Sequence, residues 1–148
     1  MRLSVERTVQ ASPSAVFALL ADPSRHRDID GSGTLVGAVE GSRRLALGDV
    51  FGMDMKAGGR YRMLNTVVEL EEDRRVAWQA RPDLPRVARF VGGRIWRYEL
   101  EPVGGGTRVR ETWDTDQEAV PYLVNVLAPL TRISMNRTMD RIQRLVEK

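Results

Sequence analysis

The sequence predicts an α+β fold: one curved antiparallel sheet of about seven strands wrapped around a long C-terminal helix, with one or two short helices after the first strand. Three observations predict it. Residues 119–148 carry apolar side chains at helical spacing, with Val120, Leu123, Val124, Leu127, Met135, Ile142 and Leu145 on one face and an Arg-rich remainder. Between residues 34 and 116, alternating stretches are separated by short turn signals, which implies hairpins rather than βαβ units. A Ser-Pro pair follows the first strand and opens a helix.

The elements follow in order. Leu3, Val5 and Val9 alternate with polar residues over 2–10, a half-buried strand whose apolar face Arg7 interrupts. Ser12 is a fitting N-cap and Pro13 a fitting first residue for a helix that turns Val16, Phe17, Leu19 and Leu20 inward. Asp22-Pro23-Ser24 ends that helix and starts a further single turn through Arg27, before the turn cluster at 30–33. Strands are expected over 34–40, 49–57, 60–71, 74–81, 91–102 and 107–116. Residues 82–89, with two prolines, read as an irregular loop over a pocket mouth. Gly104-Gly105-Gly106 lies between two hairpin strands with no following helix, so it reads as a hairpin tip, not a phosphate loop. Pro129 removes a backbone donor inside the terminal helix, which predicts a break near 125–129 and a main helix over about 130–147.

The composition narrows the function classes. At 148 residues, with no repeat or linker, 1–148 reads as a single domain. No apolar run approaches the roughly 18 residues of a membrane span, and the N-terminus lacks a signal-peptide core, so a cytoplasmic location is expected. Cysteine is absent, which excludes disulfides and thiolate chemistry, and His26 is the one histidine. No spaced carboxylate cluster suggests a metal, and no cofactor is expected. The net charge is +3, but the arginines come in pairs scattered among acids, so a solvated surface is expected and nucleic acid is not.

The stretches VERTVQASPSAVFALLADPSRHRDID, LGDVFGMDM, YRMLNTVVELEEDRRVAW, WRYELEPVGGGTRVRETWD and NRTMDRIQRLVE, in that order, resemble the START-like superfamily, the SRPBCC or polyketide cyclase/dehydrase group with the helix-grip fold. The nearest resemblance is to small actinobacterial-type members of unknown role. It spans nearly the whole chain and implies a cavity between sheet and helix. It leaves function open, because such members include lipid carriers, cyclases and binders. The family often carries a Trp two residues beyond the Arg-His-Xaa segment, where this chain has Asp28-Ile29-Asp30.

The residues suggest what would line such a cavity. Phe51, Met53 and Met55 share one strand face, and two methionines suit an adaptable wall or ordinary core filling. Trp96 and Tyr98 alternate inward on the next long strand, with Trp78 a similar case. Asn65 shares a face with Tyr61, Met63 and Val67, although Leu64, Val68 and Leu70 make the opposite face equally apolar. Glu111 is the most informative polar residue. Arg108, Arg110, Thr112 and Asp114 claim solvent for one strand face, which turns Glu111 inward between Val109 and Trp113. An inward carboxyl is either a ligand anchor or general acid/base, or half of a salt bridge with Arg7 or Arg97. On the terminal helix, Leu127 and Met135 share the apolar stripe with the hydroxyls of Thr131, Ser134 and Thr138, a pattern suited to a helix closing over a cavity. His26 reads as an exposed loop histidine or a base beside the mouth.

The leading expectation is a non-catalytic binder of a small apolar or aromatic, lipid- or polyketide-like molecule, monomeric or homodimeric. It requires a cavity of about 300 Å³ or more between sheet and helix. The alternatives are a cyclase/dehydrase- or hydrolase-type enzyme using Glu111 with Asn65 or Tyr98, and a protein-interaction module.

Overall fold

A computed structural model describes all residues 1–148. Seven strands form one antiparallel sheet: β1 (Arg2–Val9), β2 (Leu35–Ala38), β3 (Val50–Lys56), β4 (Arg60–Glu71), β5 (Arg75–Pro82), β6 (Ile95–Val103) and β7 (Gly106–Asp114). Their spatial order is β1-β7-β6-β5-β4-β3-β2, a meander from β2 to β7 with β1 returning to the β7 edge. The helices are α1 (Pro13–Leu20), α2 (His26–Ile29), α3 (Pro85–Ala88), α4 (Pro121–Asn125) and α5 (Ala128–Val146), with a 3-10 turn at Pro23–Arg25. This is the expected α+β helix-grip arrangement, a half-barrel holding the terminal helix.

The local signals act as their chemistry dictates. Ser12 Oγ accepts the Ala15 N–H at 3.2 Å and caps α1. Gly104 and Gly105 take φ of 50° and 102°, the left-handed region that the β6–β7 tip requires. The terminal segment breaks at Val126–Leu127, and Pro129 lands in the first turn of α5, where its missing N–H has no intrahelical partner to lose.

Register fixes which side chains share the concave face. Val76 opposes Tyr98, Trp78 opposes Trp96, Trp96 opposes Trp113, and Tyr98 opposes Glu111. On the other side Asn65 opposes both Phe51 and Ala80. A bulge between Val67 and Glu69 reverses the alternation of β4, so Val67 and Leu70 join the core while Val68 faces out. That resolves why both faces of this strand look apolar in the sequence and turns Asn65 inward. The core is closed from the helix side by Val16, Phe17, Leu20, Met135, Met139 and Ile142, all at most 1% exposed.

Two expectations fail locally. The loop after β5 is not wholly irregular, since it contains α3, and β6 begins at Ile95 rather than 91. The cause is an anchor: the fully buried Glu118 carboxylate accepts the Gly92 N–H at 2.9 Å and the Arg94 N–H at 2.6 Å, and pairs with Arg94 Nε at 3.3 Å. Those backbone donors are therefore spent on the loop rather than on a strand ladder.

Candidate functional site

The polar centre of the concave face is on β7. Glu111 is 2% exposed, and one oxygen, Oε2, accepts a hydrogen bond from the Tyr98 hydroxyl of the adjacent strand. The other oxygen, Oε1, is buried without a partner. Two residues along the same strand, and so on the same face, Trp113 Nε1 is also buried without a partner. Burial pushes the Glu111 carboxyl up to about 8, opposed by the Tyr98 hydrogen bond and aided by the charge of Asp30. Near neutral pH the carboxyl is mostly protonated. Burial, reinforced by Glu111, raises the Tyr98 phenol well above its ordinary range.

Neither expected arginine partner reaches Glu111. Arg7 Nη1 crosses to α5 and bonds Asp140 at 2.8 Å and Gln143 at 2.9 Å. Arg97, on the convex face, binds Glu69 at 2.6 Å and Asp114 at 3.5 Å. The salt-bridge alternative for Glu111 is thereby removed.

An aromatic cluster adjoins this centre. Trp78 lies 5.7 Å from Tyr98 and 5.7 Å from Phe51, and His26 stacks on Trp78 at 4.7 Å with 21° between the rings. His26 is thus not an exposed loop residue. It is 5% exposed, and its Nε2 lies 2.8 Å from the Leu20 carbonyl. A carbonyl can only accept, so Nε2 carries the proton. Burial lowers the imidazole to about 4, against the opposing Leu20 hydrogen bond and Asp22 charge, so His26 is neutral near pH 7. An imidazole lowered this far is a weak base near neutral pH.

Of the expected lining residues, Phe51, Met53, Asn65, Trp78, Tyr98, Glu111, Trp113, Met135 and Thr138 are buried. Met55, Trp96, Thr131 and Ser134 are half-buried, and Leu127 is exposed. Trp96 packs toward Trp113 at 6.4 Å. The helix hydroxyls do not act together. Thr138 Oγ1 accepts the Gly31 N–H at 3.0 Å and donates to the Ser134 carbonyl at 3.1 Å, so it is satisfied within the protein. A Cβ on Gly31 would lie 2.2 Å from the Ser134 carbonyl oxygen, which shows how closely the turn before β2 meets α5. Small residues at 134 and 138 serve that approach.

Two surface clefts are lined mainly by other residues, and of the expected lining residues only Met55 borders either. One, of about 460 Å³, runs over the convex face among Glu6, Glu71, Arg74, Arg75, Glu99 and Arg108. The other, of about 420 Å³, is bounded by Val36, Asp54, Met55, Arg60, Tyr61, Arg62 and Asp83. Neither is the expected sheet–helix cavity; in the interior, His26 and Trp78 are buried against each other.

Sheet, terminal helix and a buried polar centre define the class: a helix-grip domain with buried polar groups on the inner face of its sheet. The chain belongs to the family described as polyketide cyclase / dehydrase and lipid transport, which matches residues 1–147. It is 40% identical over 114 residues to an uncharacterised protein, Rv0088, of Mycobacterium tuberculosis, covering 74% of this chain and 46% of that one. The chain thus spans about half the length of the curated relatives it matches. Protein CV1439 of Chromobacterium violaceum has a similar structure, with a TM-score of 0.75 at 18% identity over 99% of this chain and 97% of that one. So does the AHSA1-like protein of Aeromonas hydrophila, with a TM-score of 0.68 at 21% identity over 99% and 92%.

Proposed function

We propose that the domain binds a small, largely apolar or aromatic molecule between the concave sheet and α5, with Glu111 and Trp113 engaging one polar atom of it. The observation that carries this reading is the pair of unpartnered buried polar atoms, Glu111 Oε1 and Trp113 Nε1, on one strand face. A buried polar group without a partner costs about 1–3 kcal/mol, and a ligand that supplies the partner recovers it. With Tyr98 bonded to Oε2, the neutral Glu111 carries its proton on Oε1. It then presents, with the Trp113 N–H, two donors suited to a carbonyl or other acceptor oxygen. Phe51, Trp78, Tyr98 and Met135 supply the apolar surroundings, and the family's association with lipid transport supports the class of ligand.

Because neither cleft is that cavity, the reading requires the interior to open on binding. Displacing the four-residue α2, which carries His26 onto Trp78, would uncover that interior. Native mass spectrometry of the protein as purified, and after incubation with a lipid extract, tests the reading. The expected result is a one-to-one small-molecule adduct that Trp113→Phe and Glu111→Ala weaken. A protein that takes up nothing from the extract, or whose adducts both variants retain in full, overturns it.

A second reading has its own support. A carboxyl near 8 beside a phenol is poised to exchange a proton at neutral pH, as an acid/base in a cyclase, dehydrase or hydrolase must. Unchanged turnover of an identified substrate by Glu111→Gln removes that reading.

A further inference from the structure

Large apolar side chains are exposed in two neighbouring places. Leu84, Val87 and Phe90 stand out around α3, and Tyr122, Leu123, Val126, Leu127, Leu130 and Ile133 stand out along α4 and the start of α5. Val126 is 73% exposed, Leu130 65% and Phe90 59%. The two segments meet where the Ala119 N–H donates to the Gly92 carbonyl at 3.1 Å. At 100° per residue, Leu130 and Ile133 lie on the side of α5 opposite Met135, Met139 and Ile142, so they cannot reach the core. Large exposed apolar side chains gathered on two segments tied together in this way mark a contact surface.

Its charge indicates what it contacts. Residues 84–94 and 119–139 contain no Asp or Glu, in a chain with 20 acids among 148 residues. They contain five arginines. Arg94 pairs with Glu118, whereas Arg86, Arg89, Arg132 and Arg137 are exposed and form no salt bridge. Elsewhere the arginines are largely neutralised, as in the pairs Arg62–Asp54, Arg97–Glu69 and Arg110–Glu6. Apolar side chains among unpaired arginines, with no acid to repel phosphate, complement an anionic lipid surface.

We infer that the face formed by α3, α4 and the first half of α5 docks on anionic membrane surfaces, Phe90, Val126, Leu130 and Ile133 entering the headgroup region while Arg86, Arg89 and Arg137, the last within about 40° of Leu130 and Ile133 around the helix, engage lipid phosphates. This stands independently of the interior site, since none of these side chains lies in it. A protein surface would need matching acids, and a second copy would bring these same unpaired arginines against each other around a symmetry axis.

Vesicle flotation of the full chain tests it, with phosphatidylcholine alone and with phosphatidylcholine containing phosphatidylglycerol. Partitioning onto the anionic vesicles should exceed that onto neutral ones at least tenfold and fall with added salt. Each Arg→Gln change at 86, 89 and 137 should cost about fivefold. Phe90→Ser with Ile133→Ser should cost at least tenfold while leaving the thermal midpoint nearly unchanged. Equal partitioning onto both vesicles, or onto neither, overturns the inference. So does a solution dimer, seen by light scattering, that the same variants dissociate.

Discussion

The two halves of the C-terminal segment carry the same kind of pattern and meet opposite fates. From Met135 onward, the apolar stripe of α5 is driven into the half-barrel: Met135, Met139 and Ile142 are at most 1% exposed. Before Met135, an equally apolar run at Leu123, Val126, Leu127, Leu130 and Ile133 stays in solvent. The break at Val126–Leu127 separates the two, and Gly31 pins only the later half through Ser134 and Thr138. Periodicity thus reports that a helix has an apolar face, while the neighbouring backbone decides whether that face is core or contact surface.

The sharpest way to break this comparison is truncation on both sides of it. Met139→Ala or Ile142→Ala should destabilise by about 2–5 kcal/mol in urea unfolding, whereas Leu130→Ala or Ile133→Ala should stay within about 0.5 kcal/mol. Similar losses in both halves would contradict the division.

The buried titratable groups predict a pH profile of comparable size. Glu111 is raised from 4.5 to about 8, so the folded state holds a proton that the unfolded state releases, and this contribution is lost as pH rises through that window. His26 is lowered from 6.5 to about 4, so its contribution is present above 6.5 and is lost as pH falls toward 4. Between 4.5 and 6.5 the two slopes oppose each other; above 6.5 Glu111 acts alone. The stability of Glu111→Gln relative to the parent should therefore grow by up to about 4 kcal/mol between pH 4.5 and pH 8, from about 1.4 kcal/mol per unit. A flat difference would place the Glu111 carboxyl in water.

Smaller effects belong to the pinning contact. Gly31→Ala forces a Cβ against the Ser134 carbonyl and should cost about 1–3 kcal/mol as overpacking. Thr138→Val leaves the buried Gly31 N–H without its acceptor and should cost about 1–3 kcal/mol, toward the lower end if water reaches the N–H. Thr131→Val, at a half-buried position outside that contact, should change stability by less than about 0.5 kcal/mol.

Much of the fold is legible in the sequence because its signals are local. Pro13 and Pro129 restrict their own backbone, Ser12 caps the helix beside it, and Gly104-Gly105 permit the left-handed turn, each where its local chemistry predicts. Glu111 is readable from the exposed Arg108 and Arg110 on the other face of β7, but the expectation that this whole face is solvated fails: Thr112 and Asp114 are buried, bonded to Ser4 and paired with Arg97. What escapes local reading depends on distant partners. His26 is buried by Trp78 on β5, Thr138 by Gly31, and the start of β6 is set by Glu118. Nothing local in the sequence marks Glu118; the one hint is the Gly92-Gly93 pair, at φ of 138° and 113°, whose close packing needs a partner to hold it. The inward turn of Asn65 depends on a bulge two residues away.

The central claim is that the β7 polar pair receives a ligand atom. Soaking crystals with anthraquinone, an aromatic probe carrying carbonyl oxygens, tests it most directly. The account predicts a carbonyl oxygen within about 3 Å of both Glu111 Oε1 and Trp113 Nε1, with His26 displaced from Trp78. An ordered water bridging the two atoms, with the probe absent from the interior, would contradict it.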